Sequence, residues 1–122
     1  MIDPKQGRLI ARLVGLLAVL AIAILSLVPG DMRPQTGMPK QLEHIVAYLL
    51  TAAVLAFGYG KSRYPTFIIL SLSIYSAALE VAQTQIPGRT GNFGDFVVSF
   101  GGALIGGTLA WLVLRAFPHD FA

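Results

Sequence analysis

The sequence predicts an all-α fold, an integral membrane bundle of four transmembrane helices forming a single domain over residues 1–122. Three observations carry this. Hydrophobic residues make up 55% of the chain and charged ones only 12%, against roughly 25% charged in soluble domains. Four continuous apolar runs are each about eighteen residues or longer, enough to cross ~30 Å of hydrocarbon as helices. The segments between them are polar and rich in proline and glycine, and the runs lack the period-two alternation of a membrane barrel.

The first span is read over about residues 9–28, a run of Leu, Ala, Ile and Val preceded by Lys5, Arg8 and Arg12. A cleaved signal peptide would carry its small-residue pattern after the apolar core. Here Ala21-Ile22-Ala23 lies inside the run, and the rest of the chain is equally apolar, which favours a retained helix. Pro29-Gly30 ends it. A polar loop from Asp31 to Gln41 leads to the second span, about 42–59, which carries Glu43, His44 and Tyr48 near its start. Gly58, Gly60, Lys61 and Arg63 mark a tight basic turn. Pro65, suited to a first helical turn, opens the third span over about 65–82, with Glu80 near its end. A second polar loop, Gln83 to Gly94, precedes the fourth span, about 95–114, and Arg115 to Ala122 forms a short tail.

Basic residues orient such a bundle, because short cytoplasmic loops retain Lys and Arg. Lys5, Arg8, Arg12, Lys61, Arg63 and Arg115 fall on one side, while Arg33, Lys40 and Arg89 fall on the other. Six against three places both termini in the cytoplasm. Asp31, Glu43, Glu80 and Asp95 then lie at the outer face.

Scattered basic residues, with a net charge of +3, form no stripe of the kind that binds nucleic acid. The absence of cysteine excludes disulfides and cysteine-ligated metals. No paired histidine spacing is present, and His119 belongs to the opposite side from His44. No metal and no cofactor are therefore expected. Neither Ser76 nor Ser99 sits in a nucleophile motif.

Ionisable groups are costly within membrane spans, and in this chain they cluster. Antiparallel spans bring the heads of spans two and four and the end of span three to one level. His44 and Tyr48, four apart, share a helix face. Ser76, Glu80, Gln83 and Thr84 share another. Asp95, Ser99, Gly102 and Gly106 form one stripe of span four, polar at the mouth and glycine below, as an inward face requires. Asp95 also fits three residues after a cap at Asn92, beside the positive helix end. Glu43 is adjacent to the interface and is expected to face water. Glu80 has no opposite charge within four residues, and Arg89 is its expected partner across the Pro87-Gly88 turn. The small residues of span four include Gly102-x-x-x-Gly106 and Ala103-x-x-x-Gly107. They suit close packing within the bundle, with a homodimer through the same face as the other use of such a stripe.

Glu80-x-x-Gln83-x-x-x-Pro87-x-Arg89-x-x-x-x-x-Asp95, followed by Ser99 and Gly102, resembles the signature of VanZ-like membrane proteins. His44-x-x-x-Tyr48 resembles that family's other patch. The resemblance covers roughly Lys40 to Gly107. Two positions depart: the family often has Asp-Lys ahead of the histidine, where this chain has Lys40-Gln41, and Asn where it has Ser99. Both weaken a strictly catalytic reading. The family's namesake is associated with low-level resistance to the glycopeptide teicoplanin. The resemblance implies a multi-pass protein of the bacterial cytoplasmic membrane, with His44, Tyr48, Glu80, Gln83, Arg89, Asp95 and Ser99 in a shared outer-face site. Its implied ligand is extracytoplasmic: a membrane lipid headgroup, a lipid-linked cell-wall precursor or a glycopeptide. The alternatives are a membrane enzyme acting on a lipid-linked substrate, with Glu80 or Asp95 as base and His44 as acid–base partner, and a structural or regulatory membrane subunit.

Overall fold

A computed structural model describes residues 3–28, 37, 39–59, 64–88 and 93–117. They form four helices: α1 (Pro4–Leu27), α2 (Lys40–Tyr59), α3 (Thr66–Gln83) and α4 (Phe93–Ala116). All four are long and apolar enough to cross a membrane, and no strand occurs among the described residues. The chain is a multi-pass helical membrane protein.

The helix ends differ from the apolar runs because hydropathy marks the lipid-facing stretch and capping marks the helix. α1 begins five residues before the run, where the Asp3 carboxylate accepts from the Gln6 amide at 2.8 Å and the Gln6 side chain accepts from Asp3 N–H at 3.2 Å. This reciprocal pair satisfies orphan donors of the first turn, and Pro4 lacks the donor that the first turn would leave unused. α3 begins just after Pro65, whose carbonyl accepts from Ile69 N–H at 3.1 Å. Beyond α3 the chain turns through Ile86, whose N–H reaches the Gln83 carbonyl at 3.0 Å, to Gly88 at φ 75°. That left-handed conformation is unstrained only for glycine.

Small residues set the helix spacing. A Cβ on Gly102 would stand 2.6 Å from the Ile45 carbonyl oxygen, and one on Gly106 would overlap the Leu49 carbonyl. The α2 and α4 backbones therefore touch, in parallel, with positions 45 and 49 opposite 102 and 106. In lipid, where burial of apolar surface drives nothing, such backbone contact is a main source of helix association. Gly15 against Leu55, and Gly58 against Arg12, bring α1 antiparallel to α2. Gly107 receives Ile69 and Pro65 and joins α3 to α4. Tyr48, Ala52, Leu55, Leu72 and Ala103 form the buried centre. The outer face of α1 is lipid-facing: Leu9, Leu13, Leu17, Leu20 and Ile24 are all exposed.

The two mouths of the bundle differ in chemistry. At one, Arg12 Nε donates to the Gly58 carbonyl at 2.7 Å, and its guanidinium lies 4.7 Å from the Tyr59 ring centre. Arg115 lies 4.9 Å from the Trp111 ring, which meets Tyr64 edge-on at 5.1 Å. Tyr and Trp with basic residues are the usual furniture of a membrane interface. The other mouth holds the carboxylates.

Candidate functional site

The heads of α2 and α4 and the tail of α3 meet at the second mouth, as antiparallel connections of a four-helix bundle require. Lys40, His44 and Tyr48 follow one another at four-residue steps on one face of α2, and that face looks toward α3 and α4. Lys40 Nζ lies 2.7 Å from Asp95 Oδ2. Asp95 sits in the first turn of α4 and its side chain is fully buried, while that of Lys40 keeps 26% exposure. The positive end of α4 stabilises the carboxylate, and the ammonium above it completes the compensation that burial demands.

One turn along α2, the His44 ring bridges two partners. Its Nδ1 lies 3.0 Å from the Lys40 carbonyl oxygen. A carbonyl can only accept, so Nδ1 carries a proton and donates it to Lys40. Nε2 points at Glu80 Oε1 from 3.8 Å. That distance exceeds a hydrogen bond. Donor atoms of His44, Glu80 and Asp95 all lie within 4.8 Å of one another.

Below them the polar groups continue inward. Tyr48, 4% exposed, has its phenol beside Ser76 and within electrostatic reach of Glu80. Ser99, one turn below Asp95, is fully buried, and its hydroxyl has no hydrogen-bond partner among the described residues. Gln83 is buried as well. Its amide donates to the Ser26 carbonyl of α1 at 3.0 Å, while its own Oε1 has no partner among the described residues. Buried polar atoms without partners are few in native proteins, and each calls for an explanation.

A cleft of about 160 Å³ opens here between α1, α2 and α3. Ile22, Leu25 and Ser26 line it from α1, Glu43, His44, Ala47 and Tyr48 from α2, and Gln83 from α3. Further along the same three helices runs an apolar groove of about 370 Å³, lined among others by Leu16, Val19, Leu55, Phe67, Leu72 and Tyr75. The Tyr75 hydroxyl donates to the Val19 carbonyl at 2.5 Å and pins α1 to α3 beside the groove.

Of the residues expected in a shared site, His44, Tyr48, Glu80, Gln83, Asp95 and Ser99 stand at this mouth, and all are buried or half-buried. Arg89, the expected partner of Glu80, and Asn92, the expected cap of α4, lie outside the described residues. Thr84 falls past the end of α3 and is exposed. Glu43, expected to face water, is half-buried and lines the cleft. Two contributors escape sequence reasoning. Lys40 reads there as a loop charge, although its spacing of four from His44 is the signal that joins it to the face. Ser26 takes part through its carbonyl, for which a side chain gives no sign.

Fold and site together define a four-span helical membrane protein with a half-buried charged cluster beside a cleft at one mouth. Compared with known proteins, the chain matches no family model, no curated protein and no solved structure.

Proposed function

We propose that the chain is a VanZ-like cell-envelope protein of the bacterial cytoplasmic membrane, with both termini cytoplasmic. In this reading its polar mouth recognises the head of a lipid-linked extracytoplasmic ligand. The observation that carries the reading is the cleft itself. It sets His44, Glu43 and the unpartnered Gln83 Oε1 beside a buried ion pair, and it shares three helices with an apolar groove. A lipid offers a polar head and an acyl chain to match these two environments.

The charge balance narrows the head. Among the described residues, Glu43, Glu80 and Asp95 outweigh Lys40. Acceptors therefore predominate, and a head rich in hydroxyl and amine donors suits them better than a bare phosphate. A glycosylated cell-wall precursor has that chemistry, and so does a glycopeptide such as teicoplanin. A membrane enzyme is the second reading, favoured by the open approach of His44 Nε2 to Glu80, which suits a proton relay.

The test is teicoplanin susceptibility of a sensitive host expressing the protein, paired with thermal unfolding of each purified variant. The binding reading expects Glu80→Gln to abolish protection while its unfolding temperature stays close to the parent's. Unchanged susceptibility with the parent protein, together with no retention of lipid-linked precursor by the purified protein, would remove it.

A further inference from the structure

We propose that His44, Glu80 and Asp95 form a binding site for a divalent transition-metal ion, with Lys40 as a tethered competitor. The proposal stands apart from the ligand reading above, because it concerns the protein alone.

Three donors arrive from three different helices and converge within 4.8 Å. Ligands around a tetrahedral zinc at about 2.1 Å stand about 3.4 Å apart. The His44–Glu80 separation of 3.8 Å is already close to that. Closing the rest is a side-chain movement, since all three backbones sit on packed helices. One imidazole with two carboxylates is a nitrogen–oxygen set suited to Zn²⁺ or Mn²⁺.

The imidazole is also prepared for this role. Its Nδ1 is held by the Lys40 carbonyl at 3.0 Å. Ligating histidines characteristically donate their second nitrogen to such an acceptor, which fixes the tautomer and aims the free lone pair at the metal. Here Nε2 faces Glu80 Oε1 from 3.8 Å. Deeper groups extend the donor supply. The Ser99 hydroxyl under Asp95 and the Gln83 Oε1 at the cleft are both buried and without partners among the described residues.

Lys40 explains how the site holds together without a metal. Its ammonium at 2.7 Å from Asp95 supplies the positive charge that a buried carboxylate needs. With 26% exposure it can swing into water when a metal ion takes its place. Metal binding is then an exchange of one cation for another.

The test uses full-length protein in detergent, stripped with chelator and titrated with Co²⁺ as a spectroscopic stand-in for Zn²⁺. One ion per chain is expected, displaced by Zn²⁺. His44→Ala and Glu80→Gln should each weaken binding by roughly tenfold or more. Lys40→Met should strengthen it by roughly tenfold, because the competitor is gone while all three ligands stay. A purely structural Lys40 would not produce that gain. Circular dichroism of each variant shows whether it has folded. If Lys40→Met fails to fold, the ligand variants and the parent titration still decide. No stoichiometric ion in the parent protein overturns the proposal. So does binding that His44→Ala and Glu80→Gln leave unchanged. Neither result touches the teicoplanin experiment, so the two readings fail separately.

Discussion

Lys40 Nζ meets Asp95 Oδ2 at 2.7 Å, so the first residue of α2 is bonded to the first turn of α4. These two helices run parallel, and their positive ends share one mouth. A lysine at a helix start is unfavourable for the helix dipole, and a carboxylate there is favourable. Asp95 thus answers both helix ends and the ammonium at once.

The pair is asymmetric, and mutants should show it. Lys40→Met removes the ammonium 2.7 Å from a fully buried carboxylate, and removing one partner of a buried pair costs about 3–5 kcal/mol. Asp95→Asn leaves an ammonium that is already 26% exposed and can turn to water. We expect a smaller loss there, on the order of 1 kcal/mol. Unfolding of metal-free protein in detergent measures both. Equal losses would mean that Lys40 is held in place by more than Asp95.

Glycine positions on α4 give a matched pair of substitutions. A Cβ at position 106 overlaps the Leu49 carbonyl, and backbone cannot rotate away as a side chain can. Gly106→Ala should lower stability by about 1–3 kcal/mol, the usual cost of overpacking. At Gly101 a Cβ meets nothing within 4 Å. Gly101→Ala should therefore gain roughly 0.5–1 kcal/mol through helix propensity. Thermal unfolding of the two variants in the same detergent distinguishes a stripe packed on α2 from one facing lipid.

That stripe was legible in the sequence because helical spacing alone places Asp95, Ser99, Gly102 and Gly106 on one face. The four spans were legible for a related reason: lipid forces every backbone polar group into a helix and every exposed side chain toward apolarity. The convergence of His44, Glu80 and Asp95 at one level followed from alternating span direction. Their mutual distances did not, because spacing rules see only ligands that share a helix. The pairing of Lys40 with Asp95 was hidden for the same reason, and Lys40 served only as a topology charge. Helix starts at Pro4 and Lys40 were missed because helix ends lie outside the apolar stretch.

Orientation is tested with single-cysteine variants at exposed described positions. Gln41 stands at the carboxylate mouth and Lys5 at the basic one. With both termini cytoplasmic, an impermeant maleimide added to intact cells labels Gln41→Cys and leaves Lys5→Cys unlabelled until the membrane is opened. The reverse pattern would put the cleft on the cytoplasmic side and exclude an extracytoplasmic ligand.

The sharpest separation of a ligand site from a structural lock comes from Gln83 compared with Glu80. Gln83 does two things at once: its amide holds the Ser26 carbonyl at the end of α1, and its Oε1 lines the cleft. Gln83→Met keeps the volume and loses the bond to α1, which costs about 0.5–1.5 kcal/mol. Hydrogen exchange in the last turn of α1 should quicken as a result, because that bond ties Ser26 of that turn to α3. Glu80→Gln keeps both shape and an acceptor oxygen. Its contact with His44 spans 3.8 Å, longer than a hydrogen bond. If the cluster is the ligand site proposed above, exchange in α1 and overall stability should stay near the parent's in Glu80→Gln, within about 1 kcal/mol, while any protection that the parent gives against teicoplanin disappears. A Glu80→Gln variant that unfolds several degrees early and also loses protection would instead identify the cluster as a lock that holds α2, α3 and α4 together.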